Sequence, residues 1–128
     1  MRIHQIIAES TTTTLNTLYD YDELHDESEE LYHWTQPEQF DTPYQVKIMQ
    51  PNQIKNLKTT RDDMTIVDAY KQFADKNQKS LVKSKAKNFD ANRIIVIANN
   101  TLIDGNHHAI AAIISNNPVK YIDIYENA

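Results

Sequence analysis

The sequence predicts a mixed α/β (α+β) domain, a small mixed sheet flanked by helices, and three patterns in its last forty residues support this prediction. Residues 93–98 form an almost uninterrupted apolar run of strand length, which is typical of a buried strand. Residues 119–125 alternate between apolar and polar side chains, as a half-buried strand does. Between them, residues 106–115 carry apolar side chains at helical spacing, so strands and a helix alternate along the chain.

The same region contains a predicted hairpin. Asn99-Asn100 predicts a two-residue turn, and residues 101–103 return as a short strand that Asp104-Gly105 ends. The helix that follows is predicted to stop at residues 116–118, Asn-Asn-Pro. Its expected apolar side consists of Ala109, Ile110, Ala112, Ile113 and Ile114. The isoleucines expected to be largely buried are Ile95, Ile97, Ile110, Ile113 and Ile122.

The middle of the chain predicts one strand and two helices, followed by a lysine-rich stretch. Residues 44–49 alternate as a half-buried strand does, and Pro51 ends this strand and opens a short helix through Leu57. Asp62-Asp63 precede a second helix, whose apolar side chains recur at a spacing of three to four residues.

The first 42 residues differ from the rest of the chain in charge. They contain ten acidic residues and one basic residue, whereas the remainder contains eight acidic and twelve basic residues. The net charge of −5 therefore divides into −9 and +4, which indicates a polyanionic partner or one half that shields the other. We predict an acidic, aromatic-containing extension over residues 1–42 and a domain over residues 43–128. Removal of the extension is expected to leave a folded body that binds nucleic acid more tightly.

Composition excludes several classes of protein. A chain of 128 residues suits one domain with a buried core. The absence of cysteine excludes disulfides, thiolate zinc sites and cysteine nucleophiles. No apolar run approaches the roughly 18 residues that a membrane span needs, and residues 1–8 are too short and too polar for a signal peptide. We therefore expect a cytoplasmic protein without a membrane partner.

Gly105 is the only glycine of the chain, and it lies where a predicted strand becomes a helix. A single glycine at such a junction indicates a positive φ or a close approach to a ligand. The helix start offers unpaired N–H groups and a positive dipole end, which favour anions. His107 and His108 lie in its first turn, and Asp104 would cap the helix or hold a histidine or a metal ion. The alternative is an ordinary Asp-Gly turn with surface histidines.

Residues 102–112, Leu-Ile-Asp-Gly-Asn-His-His-Ala-Ile-Ala-Ala, resemble the signature of the ParB/sulfiredoxin superfamily, the ParB-like nuclease domain. That signature is a hydrophobic strand, then Asp-Gly-x-His-Arg, then a helix of small residues. Residues 44–51 are similar to the family's opening strand, proline and short helix, so the likeness covers about residues 43–126. Members of this superfamily include chromosome-partitioning factors that bind cytidine triphosphate, sulfiredoxin, a free-serine kinase and proposed nucleases.

The resemblance implies a ParB/sulfiredoxin-like fold that holds a phosphate at this loop. From it we predict phosphate or nucleotide binding by Gly105, Asn106, His107 and His108, and a catalytic role for Asp104, His107 and His108. A divalent ion such as magnesium beside the phosphate is the cofactor this interpretation adds. The chain departs from the family in two respects. It has His108 where the family signature has arginine, and it lacks the catalytic cysteine of sulfiredoxin.

The lysine-rich stretch is a second candidate site, either for a nucleic-acid backbone or as a mere solvated helix face. Its cations are Lys76, Lys79, Lys83, Lys85 and Lys87. His4, His25 and His33 do not have a recognised ligand spacing, so no metal site is predicted from them.

Three interpretations of function remain open. In the first, the protein binds a phosphate, a nucleotide or a nucleic acid such as DNA, with nuclease or phosphotransferase activity as a weak addition. In the second, it is a non-catalytic interaction or inhibitor protein, encoded by a phage or mobile element, that meets a protein partner through residues 1–42. A metal-dependent nuclease proper is the third.

The two histidines are expected to differ in exposure. His107 shares a helix side with Ile110 and Ile114, so it is predicted to be the more buried, whereas His108 is predicted to face the ligand. A positive charge on His108 would then strengthen anion binding as the pH falls from about 8 to about 6.

Overall fold

Two sheets and seven helices form the protein, whose computed structural model describes residues 11–61 and 63–126, and the predicted mixed α/β class is confirmed. The strands are β1 (Thr12–Thr13), β2 (Tyr44–Gln45), β3 (Lys47–Met49), β4 (Ile94–Ala98), β5 (Thr101–Asp104) and β6 (Val119–Asp123). The main sheet has the order β3-β6-β4-β5, and β1 pairs with β2 in a separate ribbon. Because β6 lies parallel to β4 while the other neighbours are antiparallel, the main sheet is mixed, as predicted.

The helices are short except for three in the second half of the chain. They are α1 (Leu15–Leu18), α2 (Leu24–Glu27), α3 (Glu29–Trp34), α4 (Pro51–Ile54), α5 (Ile66–Phe73), α6 (Lys76–Lys87) and α7 (Asn106–Ser115), with 3₁₀ turns at Tyr21–Glu23 and Pro37–Asp41. Asp75 begins α6 by accepting a hydrogen bond from the Gln78 N–H, while the Gln78 side chain accepts one from the Asp75 N–H. No helix in the described ranges is long and apolar enough to cross a membrane.

Two predicted elements differ from those observed. The single strand expected over residues 44–49 is two strands that belong to different sheets, with Val46 between them. The helix that Pro51 opens ends at Ile54 instead of Leu57. The predicted order of hairpin, helix and closing strand over residues 93–125 is confirmed, with α7 bringing the chain back so that β6 runs beside β4.

The predicted apolar side of α7 is confirmed in part, since Ala109, Ile110 and Ala112 are buried. Ile95, Ile97, Ile110 and Ile122 are buried, as predicted, but Ile113 is only half-buried and Ile114 is 54% exposed. The buried side of α7 includes His108 instead, because Phe89, just beyond the end of α6, stacks on the His108 ring. The helix therefore turns its His108 and Ala112 side, not its Ile114 side, into the core.

Both faces of the main sheet are covered, which explains why β4 is apolar along almost its whole length. Ile95 and Ile97 face a core that includes α7 and Val82 of α6. The intervening residues, Val96 and Ala98, face a second core on the opposite side. The segment between residues 11 and 42 supplies much of that second core through Leu15, Leu24, Leu31 and Phe40.

The acidic segment therefore shares a core with the main sheet in its described part, residues 11–42. Its four large apolar side chains are between 0% and 2% exposed and pack against the sheet. The boundary at residue 43 is a division of charge and does not divide the core. The leucines of this segment are spaced too irregularly among the acidic residues to predict one packed surface. For this reason the sequence does not indicate that residues 11–42 cover a face of the sheet.

Candidate functional site

A cleft of about 790 Å³ opens beside the loop at Gly105. One wall is the start of α7, and another is formed by Ile66, Tyr70 and Phe73 of α5. Three cationic side chains from separate parts of the chain line the same cleft, Arg61, Lys85 and Arg93, and so do three acidic ones, Glu29, Glu30 and Asp104. The cleft thus combines an apolar wall with a helix start and charges of both signs, and its helix start and cations are the features that favour an anion carrying an apolar part.

Gly105 has the backbone that its position in the sequence predicts. Its φ of +106° lies in the left-handed region, which disfavours residues with a Cβ. A Cβ at this position would also lie 2.5 Å from Cγ2 of Ile95, a fully buried side chain of β4. Close packing against the sheet and the left-handed turn therefore both require glycine here.

The first turn of α7 has no side-chain cap. Asn106, His107 and His108 follow Gly105 with their amides at the helix start, where the dipole is positive. Asp104 does not cap this turn, which corrects one of the roles expected for it. A ligand anion would be able to accept hydrogen bonds from these amides.

Asp104 instead joins two other side chains. Its Oδ2 accepts a hydrogen bond from the Tyr19 hydroxyl and a longer one, 3.4 Å, from Nη2 of Arg93. Burial raises the pKa of Tyr19, and the negative charge of Asp104 raises it further, so the phenol remains the proton donor. The Asp104 carboxylate thereby links Tyr19 of the acidic segment to Arg93, which directly precedes β4.

The two histidines have exchanged their expected positions. His108 is 3% exposed and stacks on Phe89, with ring centroids 4.6 Å apart and ring planes inclined by 15°. His107 is half-buried, so it and not His108 is the more accessible residue of the pair. Both belong to the cleft lining, and the prediction that His107 would be the more buried of the two is wrong.

The environment keeps both imidazoles neutral near pH 7. Burial, with Arg93 and Lys85 nearby, lowers the pKa of His108 to about 4. Burial, with Lys85 and Arg93, also lowers the pKa of His107. The Nε2 atom of His108 is buried without a hydrogen-bond partner, a rare situation for a polar atom in a protein interior. Burial and the neighbouring cations therefore oppose the cationic His108 that the predicted strengthening of binding near pH 6 requires.

The buried neutral His108 predicts a specific loss of stability in acid. Above pH 6.5 the ring is neutral in both states, but towards pH 4 the unfolded chain takes up a proton that the folded chain does not. The free energy of unfolding should fall by about 3 kcal/mol over that interval from this residue alone. Urea unfolding at pH 7 and pH 4.5 should show a smaller fall for His108→Phe than for the wild type. His33→Phe, at an exposed ring, should keep the wild-type fall, and equal falls in all three proteins would contradict this account.

The five predicted lysines divide between two surfaces. Lys83 and Lys85 point about 160° apart on a helix of 3.6 residues per turn. Lys85 is half-buried and lines the cleft, whereas the other four are exposed. The four exposed lysines recur every three to four residues and so share one side of α6: Lys76, Lys79, Lys83 and Lys87. A nucleic-acid backbone along that side would not pass through the cleft.

No metal centre forms from the described side chains. Within residues 11–61 and 63–126, no three His, Cys, Asp or Glu side chains converge as a metal ion would require. His25 and His33 lie on the surface with their rings 6.3 Å apart, and His4 is outside the described residues. The magnesium cofactor expected from the resemblance stays a prediction.

Sequence reasoning missed Arg93 and Tyr19 as site residues. A signal for Arg93 existed, because antiparallel pairing in the predicted hairpin brings the start of β4 beside the end of β5, where Asp104 lies. No comparable signal existed for Tyr19, which reaches Asp104 across 85 positions of the sequence.

Comparisons of this chain with family models, with curated protein sequences and with solved structures give no significant match.

Proposed function

We propose that the protein binds a phosphate group at the Gly105 loop, as part of a nucleotide or a nucleic acid. The observation that carries the proposal is the meeting of the uncapped start of α7 with Arg93 and Lys85 in one cleft. The amides and the helix dipole favour an anion, and a guanidinium gives phosphate a planar pair of donors. The apolar wall at Tyr70 and Phe73 would accept the uncharged part of the ligand.

We further propose that the domain belongs to the ParB/sulfiredoxin superfamily. The supporting features are the Asp-Gly-Asn-His-His signature and a left-handed glycine between a strand and a helix. Arg93 lines the same cleft as His108 and would supply the guanidinium that the family signature has at position 108. In this proposal His108 is a buried packing residue. Arg93, which directly precedes β4, takes the phosphate-binding role of the family's arginine.

Nuclease or phosphotransferase activity is the weaker part of the proposal. Asp104 is engaged by Tyr19 and Arg93, so it is poorly placed to act as a free base. His107 is the better candidate, since its lowered pKa keeps the half-buried ring neutral and able to accept a proton at pH 7. Catalysis would be supported if the wild type hydrolyses an oligonucleotide in the presence of magnesium and the His107→Ala variant does not.

Arg93→Ala tests the binding proposal most sharply by mutation. Loss of a charge-assisted contact costs about 1.5–3 kcal/mol, which is roughly a 10- to 100-fold rise in Kd. We expect that rise in calorimetric titrations with inorganic pyrophosphate, and a smaller rise for Arg93→Lys, which keeps the charge but loses the planar fork.

Lys87→Ala is the matched control, because it removes the same charge from an exposed position outside the cleft. Its Kd should change less than twofold at 0.15 M salt, where distant surface charges are largely screened. Equal weakening by Arg93→Ala and Lys87→Ala would mean that only net charge matters, and that the cleft is not the site.

The acidic surface supports a second candidate function, the docking of a basic protein partner. Residues 11–42 contain nine acidic residues and no lysine or arginine. Tyr32 and Trp34 are 41% and 44% exposed among these acids, and interfaces are enriched in such aromatic side chains. A lysine-rich peptide should bind the wild type at low salt and bind Trp34→Ala clearly more weakly. Equal binding of the peptide by both proteins would contradict this docking role.

A further inference from the structure

Tyr19 brings the acidic segment into contact with the proposed phosphate site. It lies directly after α1, and its hydroxyl donates to the same Oδ2 atom of Asp104 that Arg93 contacts. Asp104 is the last residue of β5 and directly precedes Gly105. The contacts Tyr19–Asp104–Arg93 thus connect the acidic segment, which covers one face of the sheet, to the cleft.

This chain of contacts holds Arg93 in an ion pair with Asp104 but leaves most of its N–H donors unused. A guanidinium has five N–H donors, and the hydrogen bond to Asp104 uses one of them, over 3.4 Å. The Tyr19 hydroxyl is also a neighbour of the guanidinium, whose charge and hydrogen bond oppose the rise in the pKa of the phenol. An arginine on its own would lose much rotamer freedom on binding a ligand, and a contact that holds it beforehand lowers that loss. The remaining donors stay available to a phosphate.

The Tyr19 hydroxyl and the Arg93 guanidinium share one oxygen atom of Asp104. A carboxylate that is free of other donors tends to pair with a guanidinium through both of its oxygens. With the Tyr19 hydrogen bond on Oδ2, that oxygen is shared, and its contact with Arg93 is a single long one of 3.4 Å. Without it, Asp104 would turn fully to Arg93 and withdraw donors and positive charge from the cleft.

We infer that Tyr19 is a positioning residue of the phosphate site, which acts through Asp104 to present Arg93 to the ligand. The inference rests on the proposed phosphate binding and assigns to the acidic segment a part in it. Asp104 is then also a positioning residue, in place of the catalytic role predicted from the sequence.

The test compares Tyr19→Phe with the wild type in titrations with inorganic pyrophosphate. We expect the Kd to rise about threefold to tenfold, as for loss of one hydrogen bond that acts indirectly. In an Asp104→Asn background the same substitution should have no further effect, because its action passes through the carboxylate. Tyr32→Phe, at an exposed tyrosine, is the matched control and should leave the Kd unchanged.

A second readout needs no ligand. The chain has three arginines, so the side-chain Nε–Hε signal of Arg93 can be followed by NMR in the free protein. Tyr19→Phe should shift this signal, whereas a purely structural role would lower stability and leave the signal in place.

The outcomes separate the inference from the function on which it rests. Wild-type binding with an unchanged Kd in Tyr19→Phe would overturn the inference and leave phosphate binding standing. Absence of wild-type binding would overturn the proposed function. In that case an unshifted Arg93 signal in Tyr19→Phe would also overturn the positioning contact.

Discussion

A chain that lacks residues 1–42 is expected to lose its cooperative fold. The deletion uncovers one face of the sheet by removing Leu15, Leu24, Leu31 and Phe40, all of which are buried there. Truncation of one buried leucine to alanine typically costs 2–5 kcal/mol, and the whole stability of a domain is about 5–15 kcal/mol. The summed loss therefore exceeds what a domain of this size can tolerate. Circular dichroism during heating should show no sharp transition in the truncated protein.

Two neighbouring residues of α3 give a matched pair of single substitutions. Leu31→Ala should lower the free energy of unfolding in urea by about 2–5 kcal/mol, because Leu31 is fully buried. Tyr32→Ala, one residue further along and exposed, should cost well under half of that. A truncated chain with a wild-type melting transition would show that the sheet does not need this cover, and would restore the separable extension predicted from the sequence.

Gly105→Ala should be the most damaging single substitution at the site. A non-glycine residue at a φ of +106° costs about 1–3 kcal/mol in strain. The new Cβ would lie 2.5 Å from the fully buried Cγ2 of Ile95, and such overpacking adds about 1–3 kcal/mol. We expect the free energy of unfolding to fall by about 4 kcal/mol, with loss of pyrophosphate binding in whatever protein remains folded.

The other end of the same helix provides the control. Asn116 ends α7 with a φ of +59°, and it already carries a Cβ, so Asn116→Ala adds strain without a new clash. Its cost should be about 1 kcal/mol or less, since asparagine is only moderately better than alanine in this conformation. Similar costs for the two alanine substitutions would mean that contact with Ile95 is not what requires glycine.

Local pattern was sufficient to predict the last third of the fold. The apolar run of β4, the Asn99-Asn100 turn and the single glycine each determine a structure through their own neighbours in sequence, and all three were placed correctly. The same reasoning failed over residues 11–42, because short helices among acidic residues gain their stability from packing on a sheet that is distant in the sequence.

The site was only partly predictable for the same physical reason. The loop at residues 104–108 is local and was found, but the cations that reach it come from α6, from residue 61 and from the start of β4. The error at His107 and His108 came from a helix side judged by Ile110 and Ile114, of which only Ile110 is buried. Which side of a helix is buried depends on its neighbours, here Phe89, and helical periodicity could not supply that contact.

The most direct test of the central claim uses the fact that Gly105 is the only glycine of the chain. Protein labelled with ¹⁵N-glycine has a single labelled glycine amide, and its NMR signal reports on the proposed phosphate loop without further assignment. Addition of inorganic pyrophosphate should shift this signal progressively to a saturated position, in the millimolar range or below. Sodium chloride at the same ionic strength should leave it in place, and Arg93→Ala should weaken the response. A signal that does not move with pyrophosphate, in a protein that is folded, would contradict phosphate binding at Gly105.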